Sequence, residues 1–399
     1  MNRRTLLLAA GCLVALGTNA SAQRAGADEA EAVAALKKAG GFMETDAASP
    51  GKPVVKVTLN SPQITDDLLA HLKALPKLRS VYLATDKVTD KGLVHLNDLT
   101  KLQSLSLHSN TITGKGLENL RGLTGLEELN LGVSLMTASA LENLKGLTRL
   151  QTLSLHGDSI TDDGLAQLKG LTELRSLALA GNRITNKGLE ILPGFTKLQR
   201  LRLAGCPVND KGLENVKALT ELRELDTFGT SITGPGLEYL RNSPKIQALK
   251  LTASQVTGKG LAELKNMKNL ETLNLWANPI NDADLEHHKG LKGLKTLILW
   301  NTKVTDKGLA QLKDLENLQE LNLMNTTIGD SGLEHLKGLP KLRRLNLTET
   351  QVSDKGLTTL KAMKDLQFVD LQRSKVTDAG VKELSKALPR AFIMPRPKP

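Results

Sequence analysis

The residues able to do acid–base, nucleophilic or metal chemistry in this chain are seven histidines, two cysteines and scattered serines and aspartates. His71, His95, His287 and His335 fall in one register, separated by 24 residues or by multiples of it. Placed on successive packed helices, they would stand about 10 Å apart, too far for two of them to share one zinc ion. His108 and His156 are two such intervals apart, and no acidic or cysteine cluster completes a site. No metal is expected. His288 stands where other intervals hold Leu120, Leu144, Leu168, Leu264, Leu312 and Leu336, so it is expected to be buried, with the ring kept neutral by desolvation. Cys12 lies in a segment expected to be cleaved, which leaves Cys206 with no partner for an internal disulfide. There is no Gly-x-Ser-x-Gly elbow, phosphate loop or HExxH motif. The sequence therefore predicts no catalytic residue and no cofactor.

Trp276 and Trp300, the only tryptophans, are also 24 residues apart. Each follows the last inward leucine of a strand pattern, Leu275 or Leu299, so alternation aims both indoles away from the core. Their column reads Phe228, Thr252, Trp276, Trp300, Met324, and Ile298 lies in the next outward column. With only 2% aromatic residues in the chain, such a concentration reads as an interaction patch. Shared ancestry of neighbouring segments would give the same spacing without a binding role. Arg200, Arg202, Asp226, Lys250, Asn274 and Asn322 flank the patch as a polar rim. The expected partner-binding residues are Trp276, Trp300, Ile298, Met324, Phe228, Lys250 and Asn274.

These intervals belong to a repeat of the whole chain. Gly92, Gly116, Gly164, Gly188 and Gly212 mark it without insertion or deletion, and an apolar column from Ile64 and Val88 to Val352 and Val376 confirms it. About fourteen units fit. In the unit "LQSLSLHSNTITGKGLENLRGLTG", Leu105 and Leu107 alternate with polar residues as a short, one-faced strand. Leu117 and Leu120 then follow at helical spacing, and Gly122 ends the helix. One such strand cannot bury its apolar face alone. Stacked parallel with helices behind, the units make one continuous leucine core.

The segment "LQSLSLHSN" resembles the LxxLxLxxN core of the leucine-rich repeat family, and the match runs from residue 54 to about 388. The "TDKGL" half at 305–309 is similar to the cysteine-containing and GALA-like subclass, and the regular units look like exported bacterial members. The resemblance implies an α/β, right-handed solenoid, a horseshoe with a concave parallel β-sheet and convex helices. It also implies a recognition scaffold rather than an enzyme, with a protein or peptide held on the concave face. The family's ladder position holds Asn110, Asn182, Cys206, Asn278, Thr302, Thr326 and Thr350, small side chains able to hydrogen-bond the turn after each strand.

The ends differ from the repeats. Arg3 and Arg4 precede the apolar run 5–17, and "ASA" at 20–22 offers a cleavage site, the pattern of a Sec or Tat export signal. Periplasmic or secreted location is expected, and no apolar run is long enough to span a bilayer. Removal of 1–22 would lower the formal charge from +11 to +9, since only Arg3 and Arg4 are lost. Residues 23–53 read as a capping helix and linker, 54–388 as the repeat domain, and 389–399 as a cap and disordered tail. Lys73, Arg121, Lys145, Lys169, Lys217, Arg241, Lys265, Lys289, Lys313, Lys337 and Lys361 share one column at helix ends, and Asp66, Asp90, Asp162 and Asp210 share one at helix starts, as the helix dipole favours. That basic ridge supplies the alternative reading, an envelope-associated structural protein binding an anionic glycan. Acids interspersed among the bases argue against nucleic acid. The unit at 222–245 carries Thr227 and Ser243 at leucine positions and is expected to be distorted, because polar groups at core positions are costly.

Overall fold

The computed structural model describes residues 27–157 and 159–395, apart from the side chains of residues 133–135, 288 and 289. The export segment, the last four residues of the tail and the His288 ring lie outside the described residues. The chain divides into two units at Ile160/Thr161.

Unit 1 begins with a helix over 27–38, which buries Ala32 and Leu36. The segment after it, read from sequence as linker, contains strand β1 (Phe42–Thr45), antiparallel to β2 (Val54–Leu59). This covers the edge that β2 would otherwise expose. Strands β3 (Ser80–Ala84), β4 (Ser104–Thr113), β5 (Glu128–Leu135) and β6 (Thr152–His156) follow, each parallel to the one before and in a 24-residue register.

Unit 2 contains ten three-residue parallel strands: β7 (Ser176–Ala178), β8 (Arg200–Arg202), β9 (Glu224–Asp226), β10 (Ala248–Lys250), β11 (Thr272–Asn274), β12 (Thr296–Ile298), β13 (Glu320–Asn322), β14 (Arg344–Asn346), β15 (Phe368–Asp370) and β16 (Phe392–Met394). Leu225, Leu249, Leu273, Leu297, Leu321 and Leu345 pair directly from strand to strand. β16 pairs with β15, so the sheet continues past the boundary placed at 388. Three residues beyond the end of each strand from β7 to β15 the chain turns through the left-handed region, at Gly181, Gly205, Gly229, Ala253, Ala277, Asn301, Asn325, Glu349 and Arg373. Only the first three of these are glycine, which takes that conformation without a Cβ clash.

The opposite side is mostly tight 3₁₀ turn, not α-helix, with α segments of four to six residues except for Asp378–Ala387. The leucine spacing accounts for this. Leu117, Leu120, Leu123 and Leu126 recur every three residues and are all buried, and only a helix with three residues per turn keeps such a series on one face.

Neighbouring coils are joined by the aspartate column, which does more than complement a dipole. Asp66 Oδ1 accepts from the Thr89 N–H at 2.7 Å, and the Thr89 hydroxyl donates to Asp66 Oδ2 at 2.7 Å. The same hydroxyl accepts from Lys91 N–H, so the carboxylate of one coil holds the helix cap of the next. Asp90 with Thr113, Asp162 with Thr185, Asp210 with Thr233, Asp282 with Thr305, and Asp354 with Thr377 repeat this geometry. The repeat glycine is a consequence. A Cβ on Gly92 would lie 2.4 Å from Asp66 Oδ1, and one on Gly116 would lie 2.3 Å from Asp90 Oδ1.

One coil reverses the arrangement. Gly258 stands in the aspartate column and Asp284 in the glycine column. Asp284 Oδ2 accepts from the Asn281 N–H at 2.9 Å, the donor that a carboxylate at 258 would have served, and a Cβ on Gly258 would lie 2.0 Å from Asp284 Oδ1. The group is supplied from the opposite side of the same junction. Gly258→Asp alone is expected to destabilise through the clash, and Asp284→Gly alone through the lost acceptor. The double exchange should recover most of both losses, a coupling of about 1–3 kcal/mol in urea unfolding; simple additivity would refute the exchange. Separately, Ala253→Gly should stabilise by about 0.5–1 kcal/mol in the same assay, because relief of left-handed strain exceeds glycine's entropy cost.

Candidate binding surface

The outward column of unit 2 brings its aromatic residues together. Trp276 and Trp300 stack with ring centroids 4.2 Å apart and planes 4° from parallel. Phe228 stacks on the other side of Trp276 at 5.9 Å, although Thr252 lies between them in the column. Thr252 is 3% exposed. A small residue in that coil lets the two rings close over it. The indoles are half-buried, while Phe228 keeps 43% of its surface exposed. Ile298 and Met324, both half-buried, occupy their expected columns.

The backbone beneath is held on both sides. Ala253 N–H donates to the Trp276 carbonyl at 2.8 Å and Ala277 N–H to the Trp300 carbonyl at 3.0 Å. Asn274, read as rim, also has a structural role, since its Oδ1 accepts from Trp276 N–H at 3.0 Å. Asn322 does the same for Met324, and Asp226 for Phe228. Lys250 is paired with Glu224, and Arg202 with Asp226 at 3.3 Å. Sequence reasoning missed a second aromatic group in unit 2. Phe368 and Phe392 stack at 6.0 Å, with the Arg344 guanidinium 4.8 Å from the Phe368 centroid. Their 24-residue spacing was a usable signal, hidden because Phe392 was assigned to a terminal cap.

Polar residues at core positions find partners. Ser254 Oγ and Thr230 Oγ1 each donate to the Thr227 carbonyl at 2.8 Å, Thr227 Oγ1 donates to the Lys250 carbonyl at 3.4 Å, and Ser243 Oγ donates to the Leu219 carbonyl at 3.3 Å. The distortion expected at 222–245 is absent from the strand register, where Leu225 pairs with Leu201 and Leu249. Satisfied hydrogen bonds offset the cost of the lost leucines.

The ladder column forms in unit 2. Asn278 Nδ2 donates to the Leu251 and Leu275 carbonyls and its Oδ1 accepts from Val256 N–H. Thr302, Thr326 and Thr350 donate to the carbonyl three residues before each. Asn110 departs from this expectation. β4 runs straight through it without the left-handed turn, so Asn110 is exposed and donates its N–H to Asp86 Oδ1, while Ser109 is buried instead. Cys206 is 1% exposed and donates to the Leu179 carbonyl. Burial pushes its thiol up to about 11.

Histidines 108 and 156 lie on the sheet of unit 1. His108 packs against Tyr82, with centroids 5.5 Å apart, and His156 Nε2 lies 2.8 Å from Ser154 Oγ. Among the described residues no group of three His, Cys, Asp or Glu side chains could hold a metal ion, and no helix is long and apolar enough to cross a membrane. The basic helix-end column is neutralised in part, with five of its eleven bases paired among the described residues. Lys73 pairs with Asp98, Lys145 with Glu142, Lys217 with Glu214, Arg241 with Glu263, and Lys337 with Glu334.

The leucine-rich repeat family model matches residues 98–120, 171–192, 196–216, 315–337 and 338–361. The chain is a leucine-rich repeat protein. Solved structures extend the likeness beyond the matched segments. An internalin of Listeria monocytogenes superposes with a TM-score of 0.53 at 21% identity, over 87% of this chain and 90% of that one. A leucine-rich repeat protein of Leptospira interrogans gives 0.58 at 19%, over 85% and 89%. The ectodomain of the Arabidopsis thaliana receptor kinase GASSHO1/SCHENGEN3, solved in complex with Casparian strip integrity factor 2, gives 0.51 at 17%, over 80% of this chain and 43% of that one. At these identities the likeness concerns the fold alone. No curated protein matches the sequence.

The buried thiol gives a direct test. A folded-state value raised from 9.0 to about 11 means that folding favours the protonated thiol, so its contribution to stability is full below pH 9 and is lost as pH rises through 11. Cys206 should resist a disulfide reagent at pH 8 in the native protein and react fully in denaturant; rapid native labelling would contradict its place in the ladder.

Proposed function

We propose that this protein is a non-enzymatic, exported scaffold that holds a protein or peptide against the Phe228–Trp276–Trp300 strip. The observation that carries the reading is the stacked aromatic column on the sheet face, in a chain otherwise poor in aromatics. Stacking face to face directs the ring edges, not an open ring face, toward a ligand. Sugars are held best on a flat exposed face, whereas ring edges with Met324 and Ile298 suit the aliphatic and aromatic side chains of a peptide. The strip is backed by hydrogen-bonded backbone, so little side-chain freedom remains to be lost on binding. Leucine-rich repeat domains are commonly binding scaffolds, and the plant receptor ectodomain of similar fold was solved in complex with Casparian strip integrity factor 2. The arginine-led apolar run at 3–17 supports export. The anionic-glycan alternative finds less support, because acids already pair with five of the eleven helix-end bases and so interrupt the ridge.

Selection of random displayed peptides against the intact chain tests the reading. Selected peptides should blue-shift the tryptophan emission on binding, and Trp276→Ala with Trp300→Ala should weaken them by about tenfold or more, since buried tryptophans act as hot spots. Binding that survives the double substitution unchanged would place the partner site elsewhere.

A further inference from the structure

Lys77, Arg79, Lys101 and Arg149 converge in unit 1, just before the strands. With Thr100, Gln103 and Gly125 they line an open cleft of about 500 Å³. The repeat produces the cluster, because positions 77, 101, 125 and 149 share one register and 79 and 103 share another. Gly125 takes the third place in its row and contributes no side chain to fill the cleft.

The same registers in unit 2 are arranged differently. Lys197 is bonded to Glu173 at 2.6 Å, Lys245 pairs with Glu221, and Lys295 pairs with Glu271 at 2.8 Å. Each of these bases is neutralised by an acid one coil earlier. In the cleft, Lys101 Nζ reaches only the Pro76 carbonyl, at 3.5 Å, and Arg149 makes a longer contact with Glu127, at 3.6 Å. Arg79 also acts weakly on Asp46, whose carboxyl is held low chiefly by Ser49 and the Ala48 N–H. Four cations therefore line the cleft, Arg149 alone with an ion-pair contact to an acid, and no acidic side chain lines the cleft itself.

We propose that this cleft binds a compact polyanion carrying two or more phosphate or sulfate groups, with Lys77, Arg79, Lys101 and Arg149 as its counter-charges. Successive coils stand about 4.8 Å apart at the strands, so the row offers charges at the spacing of neighbouring anionic groups on one molecule rather than a single seat for one ion. The arginines add planar, forked donors suited to phosphate and sulfate oxygens, and Thr100 and Gln103 add neutral ones. The surface shares no residue with the aromatic strip, and the inference does not rest on the peptide-binding reading.

Isothermal titration of the full chain with inorganic tripolyphosphate, and separately with a sulfated heparin disaccharide, tests it and tells phosphate from sulfate. At least one probe should bind at a single site, with affinity falling about tenfold between low and physiological salt. Lys77→Gln with Lys101→Gln should weaken binding by about tenfold, and so should Arg149→Gln in a separate variant, each with thermal unfolding as the check on folding. Lys197→Gln with Lys245→Gln, and Trp276→Ala with Trp300→Ala, should leave it within about twofold. Failure of both probes, or an equal loss in the Lys197/Lys245 variant, would overturn the proposal, the second outcome by showing that attraction is diffuse.

Discussion

A short carboxylate side chain spans each ordinary junction between coils and closes on two donors of the following helix cap, as Asp66 does with Thr89 and Asp90 with Thr113. Three columns depend on that contact. The threonine must present both its N–H and its hydroxyl, the aspartate must stand 23 residues earlier, and the glycine three residues after the threonine must have no Cβ where the carboxylate lies. Leucine burial supplies the bulk of the cohesion, at about 25 cal/mol for each Å² of apolar surface removed from water. Burial is non-directional, however, and would tolerate slippage between coils. The carboxylate fixes the step, and a fixed step is what lets side chains line up in columns.

Three departures from the rule are informative because each keeps the contact or removes its need. At the Asn186–Asn209 junction an amide replaces the carboxylate, accepting from the Asn209 N–H and donating to its side chain. At Gly258 and Asp284 the acid and the glycine change places and the same kind of backbone donor is still served. At Gly114 the carboxylate is missing and Ala140 fits in the glycine column, its methyl lying where a side chain at 114 would go. In each case the volume at the junction is conserved, as close packing requires.

The fixed step also builds the aromatic strip and the basic row. Two indoles one coil apart must stack, because the strands that carry them are paired residue for residue. A threonine one coil earlier leaves space that Phe228 and Trp276 close over. Basic residues in unit 1 fall into a row for the same reason, and no glutamate stands in their own register one coil earlier, as Glu173 and Glu221 do for Lys197 and Lys245.

The repeat length, the inward and outward faces of each strand and the membership of the aromatic column were all determined by the sequence, since a constant 24-residue step converts sequence distance directly into spatial neighbourhood. The role of the aspartates was not legible there, because a helix-start acid satisfies the dipole equally well whether or not it reaches the next coil. Nor was β1, which lies before the repeat pattern begins, whereas the Phe368–Phe392 stack carried the 24-residue spacing but lies where the pattern ends. Thr227 and Ser243 looked like defects because sequence shows polarity but not the carbonyls that accept their hydroxyls. The tilt of Phe228 across Thr252, and which lysines have an acid within reach, were decided only by the tertiary structure. Those outcomes depend on side-chain reach between coils, which a column of residue names does not contain.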